Sequence, residues 1–173
     1  SVIGSRIGWK NMETEVVWPG RSLDRINWSG AELVLSAAHN SESLSHDLGR
    51  LGSERHVLVV GMTQKEDLSE SIEPLLHSEG RVQTIVTEVH GGRSPSVPVE
   101  QLSEYLSVDS HEHPLIISEP IEAIDTASRV AVEGGCIVYL TGSVYLVGQA
   151  IEEIVSREGV DLWQYLEAHP SCG

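Results

Sequence analysis

The sequence predicts an α/β fold: a three-layer sandwich on a mostly parallel sheet, with an antiparallel strand at one edge. Two observations carry the prediction. Five short apolar runs, rich in Val, Ile and Leu and bounded by Gly, Ser or Glu, recur along the chain, as strands buried on both faces require. Between them lie longer amphipathic stretches with short connections, a strand–helix alternation that closes into layers with right-handed crossovers.

The elements follow in order. Residues 16–25 (VVWPGRSLDR) followed by residues 26–35 read as a strand, a Gly-containing turn and a strand, antiparallel at the sheet edge. The apolar runs are then Ala31–Leu35 (AELVL), 56–62 (HVLVVGM), 82–89 (VQTIVTEV), 114–118 (PLIIS) and 136–141 (CIVYLT). Helical spacing puts Leu44, Leu48 and Leu51 on one face of residues 41–51, and Leu68, Ile72, Leu75 and Leu76 on one face after Asp67. Residues 99–106 continue the pattern, and residues 121–132 carry Ile124, Ala127 and Ala131 on a stripe. A last helix runs from Ser143 to about Arg157, followed by an amphipathic tail over residues 160–166. The Gly91-Gly92 and Ser94-Pro95 pairs mark the clearest loop. No repeat, low-complexity segment or linker interrupts this, so the 173 residues form one domain with its core over about residues 16–157.

Composition bounds the function. Eleven basic against 26 acidic side chains give a formal charge of −15, with only two lysines, which excludes non-specific attraction to nucleic acid or an anionic membrane. No apolar run approaches the ~20 residues of a membrane span. Two cysteines, Cys136 and Cys172, are too few for a disulfide scaffold and indicate a reducing compartment.

Ligands of open α/β sheets bind beyond the carboxyl ends of the strands, which selects the segments that could carry chemistry. Ser36-Ala37-Ala38-His39-Asn40 offers small residues for close approach, and His39 and Asn40 as donors near a helix start; the plainer reading is that Asn40 or Ser41 caps the helix. Thr141-Gly142-Ser143 is either helix punctuation or an anion-accepting turn. The run 63–67 supplies Thr63, Gln64, Lys65, Glu66 and Asp67. Arg21, after Pro19-Gly20, and Arg93, beside two glycines, are anion clamps or solvated turn arginines. His111-Glu112-His113 lacks a third ligand at a metal-binding spacing, so no metal site is expected. Cys136 reads as a small hydrophobe in its strand, and Cys172 has no adjacent base. Neither G-x-G-x-x-G nor G-x-x-x-x-G-K-[ST] nor G-x-S-x-G occurs, which ranks a dinucleotide oxidoreductase last.

Taken in order, Trp18-Pro19-Gly20-Arg21, then Ser36-Ala37-Ala38-His39-Asn40, Val59-Val60-Gly61-Met62, Arg93 and the run 139–148 (YLTGSVYLVG) resemble a known pattern. It is that of the C-terminal domain of folylpolyglutamate synthase/dihydrofolate synthase, in the Mur ligase superfamily, which carries W-P-G-R, D-G-A-H-N and T-G-S-L-Y-L-V-G in these places. The resemblance spans residues 16 to about 154 and implies the Rossmann-like sandwich of the Mur ligase C-terminal domain. It further implies an ATP-dependent ligase that phosphorylates a folate or dihydropteroate carboxylate and lets L-glutamate attack the acyl phosphate. ATP with Mg2+ is then the cosubstrate, the metal ligands and P-loop belong to an N-terminal ATPase domain absent from this chain, and the protein is a cytoplasmic monomer. By position, Arg21 and Ser36 are expected at ATP, and His39, Asn40, Ser143 and Arg93 at glutamate or substrate, with no catalytic residue in this domain. Two departures stand out: Ser36 occupies the Asp position, and the family's D-K-D reads Lys65-Glu66-Asp67, moving the lysine one place. The chain alone is accordingly expected to be inactive. The alternative is a nucleotide- or small-molecule-binding module that kept the fold without the chemistry.

Overall fold

The computed structural model describes residues 23–107 and 113–159. The apolar runs become strands because β-branched and leucine side chains on both faces can be buried only between two layers of helices. The elements run β1 (Asp24–Trp28), β2 (Ala31–Leu35), α1 (Ser41–Leu51), β3 (His56–Val60), α2 (Leu68–Leu76), β4 (Arg81–Val86), α3 (Val99–Ser107), β5 (Leu115–Ile116), α4 (Pro120–Gly134), β6 (Ile137–Thr141) and α5 (Val144–Glu158). They form one six-stranded sheet in the order β1-β2-β6-β3-β4-β5. Only the β1–β2 pair is antiparallel; β2–β6, β3–β6, β3–β4 and β4–β5 are parallel.

The register divides the core in two. Val57 and Val59 of β3 and Val138 and Leu140 of β6 face a layer containing Ala123, Ile124 and Ala127 of α4 and Leu146 and Ala150 of α5. Leu58 and Val60, with Tyr139, face the opposite layer, containing Leu44 of α1, Ile72 and Leu75 of α2 and Leu102 of α3. Every residue of β3 and β6 is buried, so these two strands form the centre of the sandwich. Each buried Val, Leu or Ile side chain contributes roughly 1.5–3 kcal/mol.

Several boundaries differ from the sequence reading. The edge hairpin turns at Ser29-Gly30, both with positive φ (51° and 88°), and β1 pairs in register from Asp24↔Leu35 to Trp28↔Ala31. The strand therefore begins inside the segment read as its lead-in; the Pro19-Gly20 turn lies outside the described residues. The strand read as 56–62 ends at Val60; Gly61, just beyond it, packs so closely on the next strand's exit that a Cβ there would stand 2.9 Å from the Thr87 carbonyl oxygen. The strand read as 82–89 ends at Val86, and that read as 114–118 keeps only Leu115 and Ile116 in the sheet. On α1 the buried set is Leu44, Asp47 and Leu51, with Leu48 only half-buried. Cys136 precedes β6 and is half-buried, its thiol pushed up by burial. The tail over 160–166, Cys172, His111 and Glu112 also lie outside the described residues. Among the described residues no helix is long and apolar enough to cross a membrane.

Candidate functional site

Strands β2, β6 and β3 are neighbours, so the chain leaving each of them arrives at one end of the sheet. Those three exits build the site. The β2–α1 loop is stitched to β6: the Ser36 amide donates to the Leu140 carbonyl (2.9 Å) and the Gly142 amide to the Ala38 carbonyl (3.0 Å). The β3 exit joins from the other side, the Gly61 amide reaching the Thr141 carbonyl at 3.4 Å. Gly142 has φ +103°, and a Cβ there would stand 2.6 Å from the Gly61 carbonyl oxygen, so this close approach requires glycine.

A cleft of about 220 Å³ opens between these exits, lined by His39, Met62, Thr63, Lys65, Gly142, Ser143, Val144 and Tyr145. Ser143 is the N-cap of α5, its Oγ accepting from the Tyr145 amide at 3.2 Å, and no acidic residue occupies the first turn of that helix. The cleft thus meets the positive end of a fifteen-residue helix. His39 is exposed, and its Nδ1 lies 2.9 Å from the Ala37 carbonyl. That bond puts the proton on Nδ1 and leaves Nε2 open. The Lys65 ammonium donates to the His39 carbonyl, linking the two loops. Burial holds the Lys65 ammonium below its ordinary range, with Asp67 pulling the other way. In a chain of charge −15 this is a local concentration of donors: one amine, one imidazole, the three hydroxyl residues Thr63, Ser143 and Tyr145, and a helix N-terminus. Such a set suits a phosphate or carboxylate. Among the described residues no group of three His, Cys, Asp or Glu is placed to hold a metal ion.

The expected site residues separate. His39 and Ser143 share the cleft. Asn40 caps α1, its Oδ1 accepting from the Ser43 amide at 2.9 Å with Ser43 completing a capping box, so the plainer of its two readings holds for the side-chain oxygen. Arg93 is exposed, on the loop after β4. That loop is zipped to the β3 exit by Gln64 N–H to Pro95 O (2.8 Å) and Val97 N–H to Met62 O (2.8 Å). It therefore borders the cleft, and a Cβ on Gly92 would stand 2.9 Å from Thr63 Cγ2 and 3.5 Å from the Tyr145 ring. Arg21 lies outside the described residues.

Ser36 departs most from expectation. It is fully buried. Its Oγ donates to Asp47 Oδ2 (2.6 Å) and accepts from the Ala38 amide (3.2 Å) and the Thr141 hydroxyl (3.1 Å). A hydroxyl has one donor and two acceptor sites, and all three are filled from within the chain. In this arrangement Ser36 Oγ is fully engaged within the chain, and its expected place at ATP rests on the sequence resemblance alone.

Two residues absent from the expected set belong to the site. Lys65 was visible as part of a strand exit and as the displaced lysine of the D-K-D pattern, without an assigned role. Asp47 was legible in principle: it stands three residues after Leu44 and four before Leu51, a carboxylate on the apolar stripe of α1.

No protein-family model matches the chain, and no curated protein matches it. Solved structures do. Escherichia coli FolC in complex with ADP has a TM-score of 0.64 at 21% identity, the match covering 82% of this chain and 33% of that one. Mycobacterium tuberculosis folylpolyglutamate synthase, complexed with ADP and AMPPCP, gives 0.67 at 22% identity, covering 83% and 33%. The bifunctional folylpolyglutamate synthase/dihydrofolate synthase of Yersinia pestis, with AMPPNP and a Mn ion, gives 0.62 at 21%, covering 79% and 31%. The chain thus spans about a third of the length of these structures. Among the described residues the fold is that of the matching third of folylpolyglutamate synthase: a six-stranded mixed sheet, mostly parallel with one antiparallel pair, and five helices.

Proposed function

We propose that the chain is the C-terminal domain of an ATP-dependent ligase that joins L-glutamate to folate or dihydropteroate, supplying part of the ATP and glutamate sites. The observation that carries this is the convergence of the β2, β3 and β6 exits on one donor-rich cleft, within a fold shared with folylpolyglutamate synthases. In the reaction the substrate carboxylate takes the terminal phosphoryl group of ATP, releasing ADP. The glutamate amine then attacks the acyl carbon and phosphate leaves. Positioning the amine against the acyl phosphate is worth more here than any single group, since it replaces a diffusional encounter.

In this reading His39 and Ser143 hold the amino acid, and Lys65 lies where a developing anionic oxygen needs a cation. Arg93 approaches from a flanking loop, Arg21 is assigned to ATP by the sequence resemblance alone, and Asn40 acts chiefly through the helix it caps. Ser36 acts indirectly. The P-loop and the Mg2+ ligands come from an ATPase domain, which is the chain's principal partner, and the protein is a cytoplasmic monomer. The neighbours' complexes with ADP, AMPPCP, and AMPPNP with Mn support a nucleotide as ligand.

The saturation of Ser36 favours a second reading, a nucleotide- or small-molecule-binding module without ligase chemistry. One experiment addresses both. The chain is titrated calorimetrically with ATP before and after Arg21→Ala, and assayed for ADP release with MgATP, L-glutamate and dihydropteroate or folate. Weak ATP binding that falls with Arg21→Ala, and no turnover by the chain alone, is the expected result. Turnover by the chain alone contradicts the half-site reading. Ligase activity on adding a folylpolyglutamate synthase ATPase domain selects the ligase, and persistent inactivity with intact ATP binding selects the module.

A further inference from the structure

We propose that Asp47 is a positioning residue for the cleft, a latch that holds the two loops carrying His39 and Ser143 in register. This rests on the reading of the cleft as an anion site but on a different set of contacts. Asp47 is 7% exposed, and its Oδ2 accepts from Ser36 Oγ at 2.6 Å, the shortest link in the network. Ser36 passes the constraint on in two directions. Its oxygen takes the Ala38 amide, which fixes the peptide next to His39, and the Thr141 hydroxyl, which fixes the residue before Gly142-Ser143. The Gly142 amide then closes the loop on the Ala38 carbonyl at 3.0 Å. One carboxylate on α1 thereby governs the exits of β2 and β6 together, although it lies eleven residues from Ser36 along the chain.

The location of Asp47 argues against packing as its only role. A carboxylate on the apolar stripe of a helix is costly unless its oxygens are satisfied, and a leucine there would extend the stripe of Leu44 and Leu51. Asp47 Oδ1 remains near the surface, 3.3 Å from His46 Nδ1, beside the hollow formed by Ala37, Ala38, His39 and Val144. So the residue joins a buried network to the rim of the same loop that presents His39. The Tyr139 hydroxyl, fully buried, lies beside the network of Ser36 and Thr141.

The test is amide hydrogen exchange by NMR on the 173-residue chain, with Gly142 and Ala38 as reporters and Val59 and Ile85 of the central sheet as controls. Asp47→Leu removes the acceptor, Asp47→Asn keeps a carbonyl acceptor without charge, and Ser36→Ala removes the relay. The expected result is a selective rise in Gly142 exchange, about tenfold or more for Asp47→Leu and Ser36→Ala and less for Asp47→Asn, as a hydrogen bond to a charged group predicts. Val59 and Ile85 keep their protection. Equal loss at all four amides, or unchanged Gly142 exchange, overturns the latch. If Asp47→Leu does not fold, Asp47→Asn and Ser36→Ala decide by the same criterion. Titration with ATP forms the second arm: Asp47→Asn weakens binding several-fold while the same cleft resonances shift. A wild-type chain that ignores ATP removes the anion-site reading but leaves the exchange result to decide for or against Asp47.

Discussion

Replacing Gly142 with alanine tests the site's architecture at its tightest point. The residue has φ +103°, and the new Cβ would stand 2.6 Å from the Gly61 carbonyl oxygen and 3.0 Å from Met62 Cγ and Val60 Cγ2. The left-handed backbone costs an L-residue roughly 1–2 kcal/mol. Overpacking against a backbone oxygen adds roughly 1–3 kcal/mol, because Gly61 is itself held by its amide to the Thr141 carbonyl and cannot retreat freely. The sum is about 2–5 kcal/mol. With a urea m-value of about 2 kcal/mol/M, the unfolding midpoint falls by about 1–2.5 M. Gly148→Ala is the control of opposite sign. Gly148 lies inside α5 with nothing within 4 Å of an added Cβ, so alanine there raises stability by about 0.5–1 kcal/mol. Circular dichroism in urea reads both variants. A Gly142→Ala midpoint within about 0.3 M of wild type, at unchanged m, would refute the packing of the β3 and β6 exits as described.

Two further predictions concern the frame around the site. Asp125 accepts from Trp28 Nε1 at 2.6 Å and pairs with Arg157, which stacks over the Trp28 ring at 4.6 Å. Asp125→Ala strands a buried indole N–H and leaves Arg157 with its Glu153 pair but without its second carboxylate, lowering stability by about 1–3 kcal/mol in urea unfolding; a loss under about 0.3 kcal/mol contradicts the assignment. His56 is buried, with its Nδ1 2.7 Å from the Glu54 carbonyl and its Nε2 3.0 Å from Ser78 Oγ. Burial holds its pKa below the ordinary 6.5, so the unfolded chain takes up a proton before the folded one does. Stability is therefore intact above pH 6.5 and declines as pH falls below it toward the folded value, with a slope of at most about 1.4 kcal/mol per pH unit from this residue. Urea unfolding of wild type and His56→Asn between pH 7.5 and about pH 5 checks this: the variant's curve is flatter in that window, and parallel curves contradict it.

Much of the fold was legible because its determinants are local. A run such as 56–60, with five buried apolar positions, can sit only between two layers, and each helix carried its own stripe. What was not legible depended on contacts distant in sequence. Just past the ends of β3 and β4, Gly61 packs against Thr87, and nothing in HVLVVGM announces where that partner lies. The same holds for the site. His39 and Ser143 follow from the rule that ligands gather at strand ends, once β2 and β6 are adjacent. Ser36 obeyed the same rule but turned inward, its hydroxyl donating to a carboxylate on the next helix and accepting from the Ala38 amide and the Thr141 hydroxyl. Asp47 broke the apolar pattern of α1, and a polar residue on a buried stripe signals a partner without identifying it.

The proposed function requires the cleft between the exits of β2, β3 and β6 to take an anionic ligand. It is tested most directly by following the amide resonances of the 15N-labelled chain while ATP is added to millimolar concentration. Saturable shifts are expected at His39, Lys65, Gly142, Ser143 and Tyr145, five of the residues that line the cleft, and weaker shifts at Arg93 on its border. Shifts absent throughout, or confined to the exposed edge at Leu115 and Ile116, would contradict it.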